Sequence, residues 1–206
     1  MMLDLTTLFS KLFDLERSLS SKKSLTVIVT APSSYATPFL VKVFIESAKK
    51  GMLSYYLDVK SSLYPELLLP YKQSFPELAI ILRFKEGRRV EKFLELISFY
   101  NLGTPLFILI NSFLLLSSMF LVKNRFIQIP YILALLRRIA ESGNKFIAAV
   151  IEARNTNPSH NQLLHYILRK VDRFIELKRV NNNFIFNIRE RNLSHPREHY
   201  LTLEYP

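Results

Sequence analysis

Short apolar blocks at residues 25–30, 53–59, 78–84, 106–111 and 146–151 alternate with stretches whose apolar residues recur three and four positions apart. This alternation constrains the fold more than any other feature of the chain. A block of that length bounded by turn residues suits a strand, and when it is apolar throughout it suits a strand covered on both faces. The intervening stretches read as helices. Phe39, Val43 and Phe44 mark one that has Pro38 in its first turn and Gly51 at its end, the positions where proline and glycine serve helix boundaries. Residues 88–100 read as a second helix. Ile129, Ile132, Leu136 and Ile139 give residues 126–142 one apolar face. Pro65, Pro70 and Pro76 interrupt the chain before the third block. Near the end the pattern changes: residues 173–177, 184–188 and 200–203 read as short antiparallel strands, with Asn181, Asn182 and Asn183 turning between the first two. Strands alternating with helices predict an α/β fold with a mainly parallel sheet covered on both faces.

A chain of 206 residues, 49% of them hydrophobic, is long enough for one domain with a substantial core and short for two. Residues 1–206 are therefore expected to form a single domain: an N-terminal amphipathic helix within 1–24, a parallel α/β core over 25–160, and C-terminal antiparallel strands over 161–206. The net charge of +11 favours attraction to nucleic acid, anionic lipid or an acidic partner without choosing among them. There is no cysteine, which removes disulfides and thiolate metal sites and leaves a cytoplasmic location as the simplest expectation. Residues 96–122 form a run of 27 without a charged side chain, long enough to cross a bilayer if helical. Gly103, Pro105 and Asn111 interrupt it, and residues 106–110 read as a buried strand, so a membrane is not expected as a partner.

In this order of elements the chain resembles the RecA, RadA and KaiC group of ATPase cores over residues 25–203, and three landmarks carry the resemblance. The family's phosphate-binding loop, G-x-x-x-x-G-K-[ST], follows the first strand. Here the segment reads Ala31-Pro32-Ser33-Ser34-Tyr35-Ala36-Thr37-Pro38. Ala31 and Ala36 replace the glycines that let backbone N–H groups wrap phosphates, uncharged Thr37 replaces the lysine, and Pro38 replaces the hydroxyl that holds Mg²⁺. The second landmark is Tyr56-Leu57-Asp58-Val59-Lys60, similar to the strand that ends in the family's water-activating carboxylate; Lys60 stands there and cannot act as that base. The third is Leu106-Phe107-Ile108-Leu109-Ile110-Asn111-Ser112, similar to the Walker B strand, with Asn111 in place of the metal-side aspartate. A looser fourth match sets Ala153 at a γ-phosphate sensor position. The resemblance implies a three-layer α/β/α RecA-like core of archaeal type whose nucleotide site is vestigial at Ala31, Ala36, Thr37, Pro38, Lys60 and Asn111. It also implies no catalysis, no cofactor, and an accessory or scaffold role through a protein partner or homo-oligomer, with a loose link to DNA recombination or repair.

Arg83, Lys85, Arg88, Arg89 and Lys92 form the densest basic run and are the candidate nucleic-acid contacts, with Phe84 or Phe99 available to stack on a base. Glu86 and Glu91 lie among them, as on a solvated helix start. Of the histidines, His195 and His199 have a spacing that would share one helix face, but Pro196 argues against a helix there, so no metal site is expected. Residues 113–122 are apolar enough to be either a core helix or a contact surface for a partner.

Overall fold

The computed structural model describes residues 25–30, 36–59, 63–99, 105–121, 128–142, 145–152, 158–171, 173–180, 183–190 and 197–199. Strand β1 (Thr26–Thr30) leads to helix α1 (Ala36–Lys49), then β2 (Leu53–Val59), a 3-10 helix (Pro65–Tyr71), β3 (Ala79–Phe84) and α2 (Gly87–Phe99). After these come β4 (Leu106–Asn111), α3 (Phe113–Leu121), α4 (Gln128–Glu141), β5 (Lys145–Glu152), α5 (Pro158–Lys170), β6 (Arg173–Val180), β7 (Asn183–Glu190) and β8 (Arg197–His199). All eight strands form one sheet in the order β3-β2-β4-β5-β1-β6-β7-β8. Pairing is parallel from β3 through to β6 and antiparallel from β6 to β7 and β7 to β8.

The five apolar blocks are the five strands expected, and β4 shows why they read so clearly. Each of its six residues is buried, because helices cover both faces of the sheet at its centre. On one face Leu40, Val41, Phe44 and Ile45 of α1 pack over Tyr56, Phe107 and Leu109. On the other face α2, α3, α4 and α5 contribute Val90, Leu94, Leu116, Ile132, Leu136 and Ile167 against Leu57, Ile108, Ile110 and Ile147. A side chain of this kind contributes about 1.5–3 kcal/mol when fully buried, so these two layers hold the fold together.

Local chemistry sets the helix ends. Pro38 lies in the first turn of α1, and Gly51 closes the helix with φ 82 while Met52 N–H reaches the Ser47 carbonyl at 3.2 Å, a left-handed cap that glycine adopts without strain. Gly87 opens α2 beneath the Phe120 ring; a Cβ there would stand 2.8 Å from Cε1 and Cζ of Phe120. Residues 113–121 form the helix α3, with Phe113, Leu116 and Phe120 buried. They are core rather than an exposed contact surface.

Some expectations hold and others are corrected. The charge-free run 96–122 is divided among the end of α2, strand β4 and helix α3, and no helix among the described residues is long and apolar enough to cross a membrane. Residues 65–71, read as a proline-broken stretch, form a 3-10 helix whose Leu67 and Leu68 pack against the α1 layer. Helix α5 spans Pro158–Lys170, mostly within the 161–206 region expected to hold only antiparallel strands. Strand β6 is antiparallel to β7 as expected but parallel to β1, so it joins the core sheet to the terminal hairpin. His199 lies in β8. The expected N-terminal helix, His195 and residues 200–203 lie outside the described residues.

Candidate functional site at the carboxyl edge of the sheet

Six neighbouring strands run parallel, so their carboxyl ends share one edge of the sheet. Helix α1 leaves β1 across one face while α5 enters β6 across the other, a change of face at the sheet centre, where open α/β folds place their ligand crevices. Register fixes the polar residues along this edge. Thr30 of β1 stands beside Glu152 of β5, and Asp58 of β2 lies between Asn111 of β4 and Arg83 of β3.

Asn111 is buried at the end of β4, and its Nδ2 donates to the Tyr56 hydroxyl at 2.7 Å. Tyr56 is itself fully buried, edge-on to Phe44 of α1 with ring centroids 5.6 Å apart. Burial pushes the Tyr56 phenol well above its ordinary pKa; the Asn111 bond opposes this and the Asp58 charge adds to it. The Asn111–Ser112 peptide is cis.

Asp58 is fully buried two residues along from Tyr56. Its Oδ1 accepts the Leu63 N–H at 3.1 Å and its Oδ2 lies 3.3 Å from Arg83 Nε. Arg83 Nη2 also donates to the Leu63 carbonyl at 3.3 Å. The carboxylate thereby ties the chain leaving β2 to the edge strand β3. A buried carboxylate needs a paired cation or several donors to remain charged, and Arg83 supplies the cation. Thr30 is 1% exposed, and its hydroxyl has no hydrogen-bond partner among the described residues.

The sequence-derived site residues fall unevenly. Ala36 opens α1, Thr37 and Pro38 lie half-buried in its first turn, and Asn111 ends β4. Ala31, Lys60 and Ala153 lie outside the described residues. In the basic run, Lys85, Arg88, Arg89 and Lys92 are exposed, whereas Arg83 is held by Asp58 and Leu63. Sequence reasoning missed the Tyr56–Asn111 and Asp58–Arg83 pairs. The available signal was the two-residue spacing of Tyr56 and Asp58, which turns both to one face of the strand. Among the described residues no group of three or more His, Cys, Asp or Glu is placed to hold a metal ion.

Asn111 brings no negative charge to a hydrated Mg²⁺ and its N–H is directed at a phenol, while Asp58 is already neutralised by Arg83.

The architecture defined by this sheet and its two helical layers is a RecA-like core. A solved structure described as the RadB recombinase superposes on it with a TM-score of 0.57, covering 85% of this chain and 84% of that one at 14% sequence identity. No protein-family model and no curated protein sequence matches the chain.

Proposed function

We propose that this chain is a non-catalytic RecA-like protein that neither binds nor hydrolyses ATP and acts as an accessory or scaffold subunit through protein contacts, in DNA recombination or repair. The Asn111 amide carries this reading. At the end of β4, where the resemblance requires a metal-side carboxylate, a neutral side chain donates to buried Tyr56 at 2.7 Å and serves the core. The substitutions at Ala31, Ala36, Thr37, Pro38 and Lys60 support it, because phosphoryl transfer depends on positioned cations and an oriented nucleophile. The likeness to a recombinase fold supports the assignment to recombination or repair, and the absence of cysteine supports a cytoplasmic location. Steady-state phosphate release with ATP and Mg²⁺ tests the proposal. The expected result is release no faster than in buffer; turnover abolished by Asn111→Ala would refute it.

A second reading, a nucleic-acid-binding module, draws on the exposure of Lys85, Arg88, Arg89 and Lys92 at the turn from β3 into α2. Oligonucleotide affinity measured over a salt series decides it, since phosphate contacts weaken steeply as salt rises.

A further inference from the structure

Helices α2 and α4 lie side by side and share an outer face rich in features of a contact surface. Large apolar side chains stand in solvent there: Phe99 is 72% exposed, Leu96 56% and Tyr131 41%. The helical rotation of 100° per residue sets Arg88, Lys92 and Phe99 within about 40° of one another, so they form one crest of α2. Across the gap, the Arg138 guanidinium sits 5.4 Å from the centre of the Phe99 ring.

Charge on this face is unevenly partnered. Every carboxylate has a local partner: Glu86 meets Arg89 at 4.0 Å, Glu91 accepts from Gln128 at 3.4 Å, Glu95 accepts the Tyr131 hydroxyl at 2.7 Å, and Glu141 meets Arg137 at 3.3 Å. Arg88 and Lys92 have no hydrogen bond or ion pair among the described residues, and Arg138 lies over the Phe99 ring with its charge also acting on Tyr131. The face thus offers three cations beside three exposed apolar side chains, and its own acids are already engaged.

We propose that the α2–α4 face is a docking surface for an acidic amphipathic protein segment, whose apolar side chains cover Phe99, Leu96 and Tyr131 and whose carboxylates meet Arg88, Lys92 and Arg138. Aromatic residues and arginine at the centre of a patch are the residue types that dominate protein interfaces. An exposed aliphatic residue such as Leu96 gives nothing to a nucleic acid, whereas it suits the apolar side of an amphipathic segment. A second copy of a chain with net charge +11 would bring like charge to like. This inference rests on the scaffold reading and names the partner chemistry it requires.

The test uses the full chain and a labelled synthetic peptide of about four helical turns, with leucine along one face and glutamate beside it, followed by fluorescence anisotropy. A matched peptide with lysine for glutamate is the control. Wild type is expected to bind the acidic peptide at least about tenfold more tightly than the basic one. The double variant Leu96→Ser with Phe99→Ser is expected to lose about tenfold, and Arg88→Glu with Lys92→Glu to reverse the charge preference. These side chains are exposed, so thermal unfolding of the variants should match wild type, and Lys72→Glu, on the 3-10 helix side, should leave binding unchanged. Equal binding of the two peptides, or acidic-peptide affinity indifferent to Leu96→Ser with Phe99→Ser, overturns the proposal. So does tighter binding to phosphatidylserine vesicles or to a single-stranded oligonucleotide that the acidic peptide fails to displace. ATP turnover is read on the same samples: turnover would sink the non-catalytic reading alone, and absent peptide binding without turnover would sink this one alone.

Discussion

Tyr56 and Asp58 face the α1 layer from the same side of β2, and both reach residues distant in sequence. Replacing Tyr56 by Phe keeps the ring but leaves the Asn111 N–H buried without its acceptor, which is expected to cost about 1–3 kcal/mol in urea unfolding. The same variant has a pH signature. Burial holds the folded-state phenol pKa above the value of about 10 for an unfolded tyrosine, so the folded chain keeps that proton more tightly. The resulting stability is complete below about pH 10 and declines as pH rises toward the folded-state value. Tyr56→Phe should flatten this alkaline loss; an unchanged alkaline profile would show that Tyr56 does not cause it. Arg83→Ala tests the other pair. It leaves Asp58 buried without its guanidinium, and because Arg83 is half-exposed the expected cost is about 1–3 kcal/mol, below that of a fully buried pair. Asp58→Asn with Arg83→Ala should recover part of that loss, and if the double variant is no better than Arg83→Ala the pairing is unimportant.

Helix α2 owes its position to Gly87, the residue that lets the Phe120 ring of α3 approach its first turn. Gly87→Ala is expected to destabilise the chain by about 1–3 kcal/mol through overpacking, and Phe120→Leu in the same chain should relieve part of it; thermal unfolding of the three variants reads both effects. The elements differ in how openly the sequence shows them. Strand β4 is legible because burial on both faces demands an unbroken apolar run, and α4 because its apolar residues keep helical spacing. Helix α5 also has that spacing in Leu163, Leu164 and Ile167, but the residues around them are mostly polar and no broad apolar face announces it, although Pro158 suits a helix start. The 3-10 helix escapes sequence reading for another reason: Pro65 and Pro70 signal a break, and only tertiary packing of Leu67 and Leu68 makes the turn worthwhile. At the carboxyl edge, the identities of Asn111 and Pro38 are legible in the sequence. Their environment is not, since the Tyr56–Asn111 bond joins positions 55 residues apart and depends on the β2–β4 register.

The whole molecule combines a RecA-like sheet, whose order sets the ends of β1, β2 and β4 along one edge, with side chains there that bond to one another. Its two helical layers leave the α2–α4 face to solvent, which gives a scaffold role a place to act. Titration calorimetry with ATP and Mg²⁺ asks whether this edge holds a triphosphate before any question of turnover arises. No saturable heat is expected at ligand concentrations of about 1 mM, where binding worth about 4 kcal/mol would be seen. Saturable, Mg²⁺-dependent binding that Asn111→Ala weakens would contradict it.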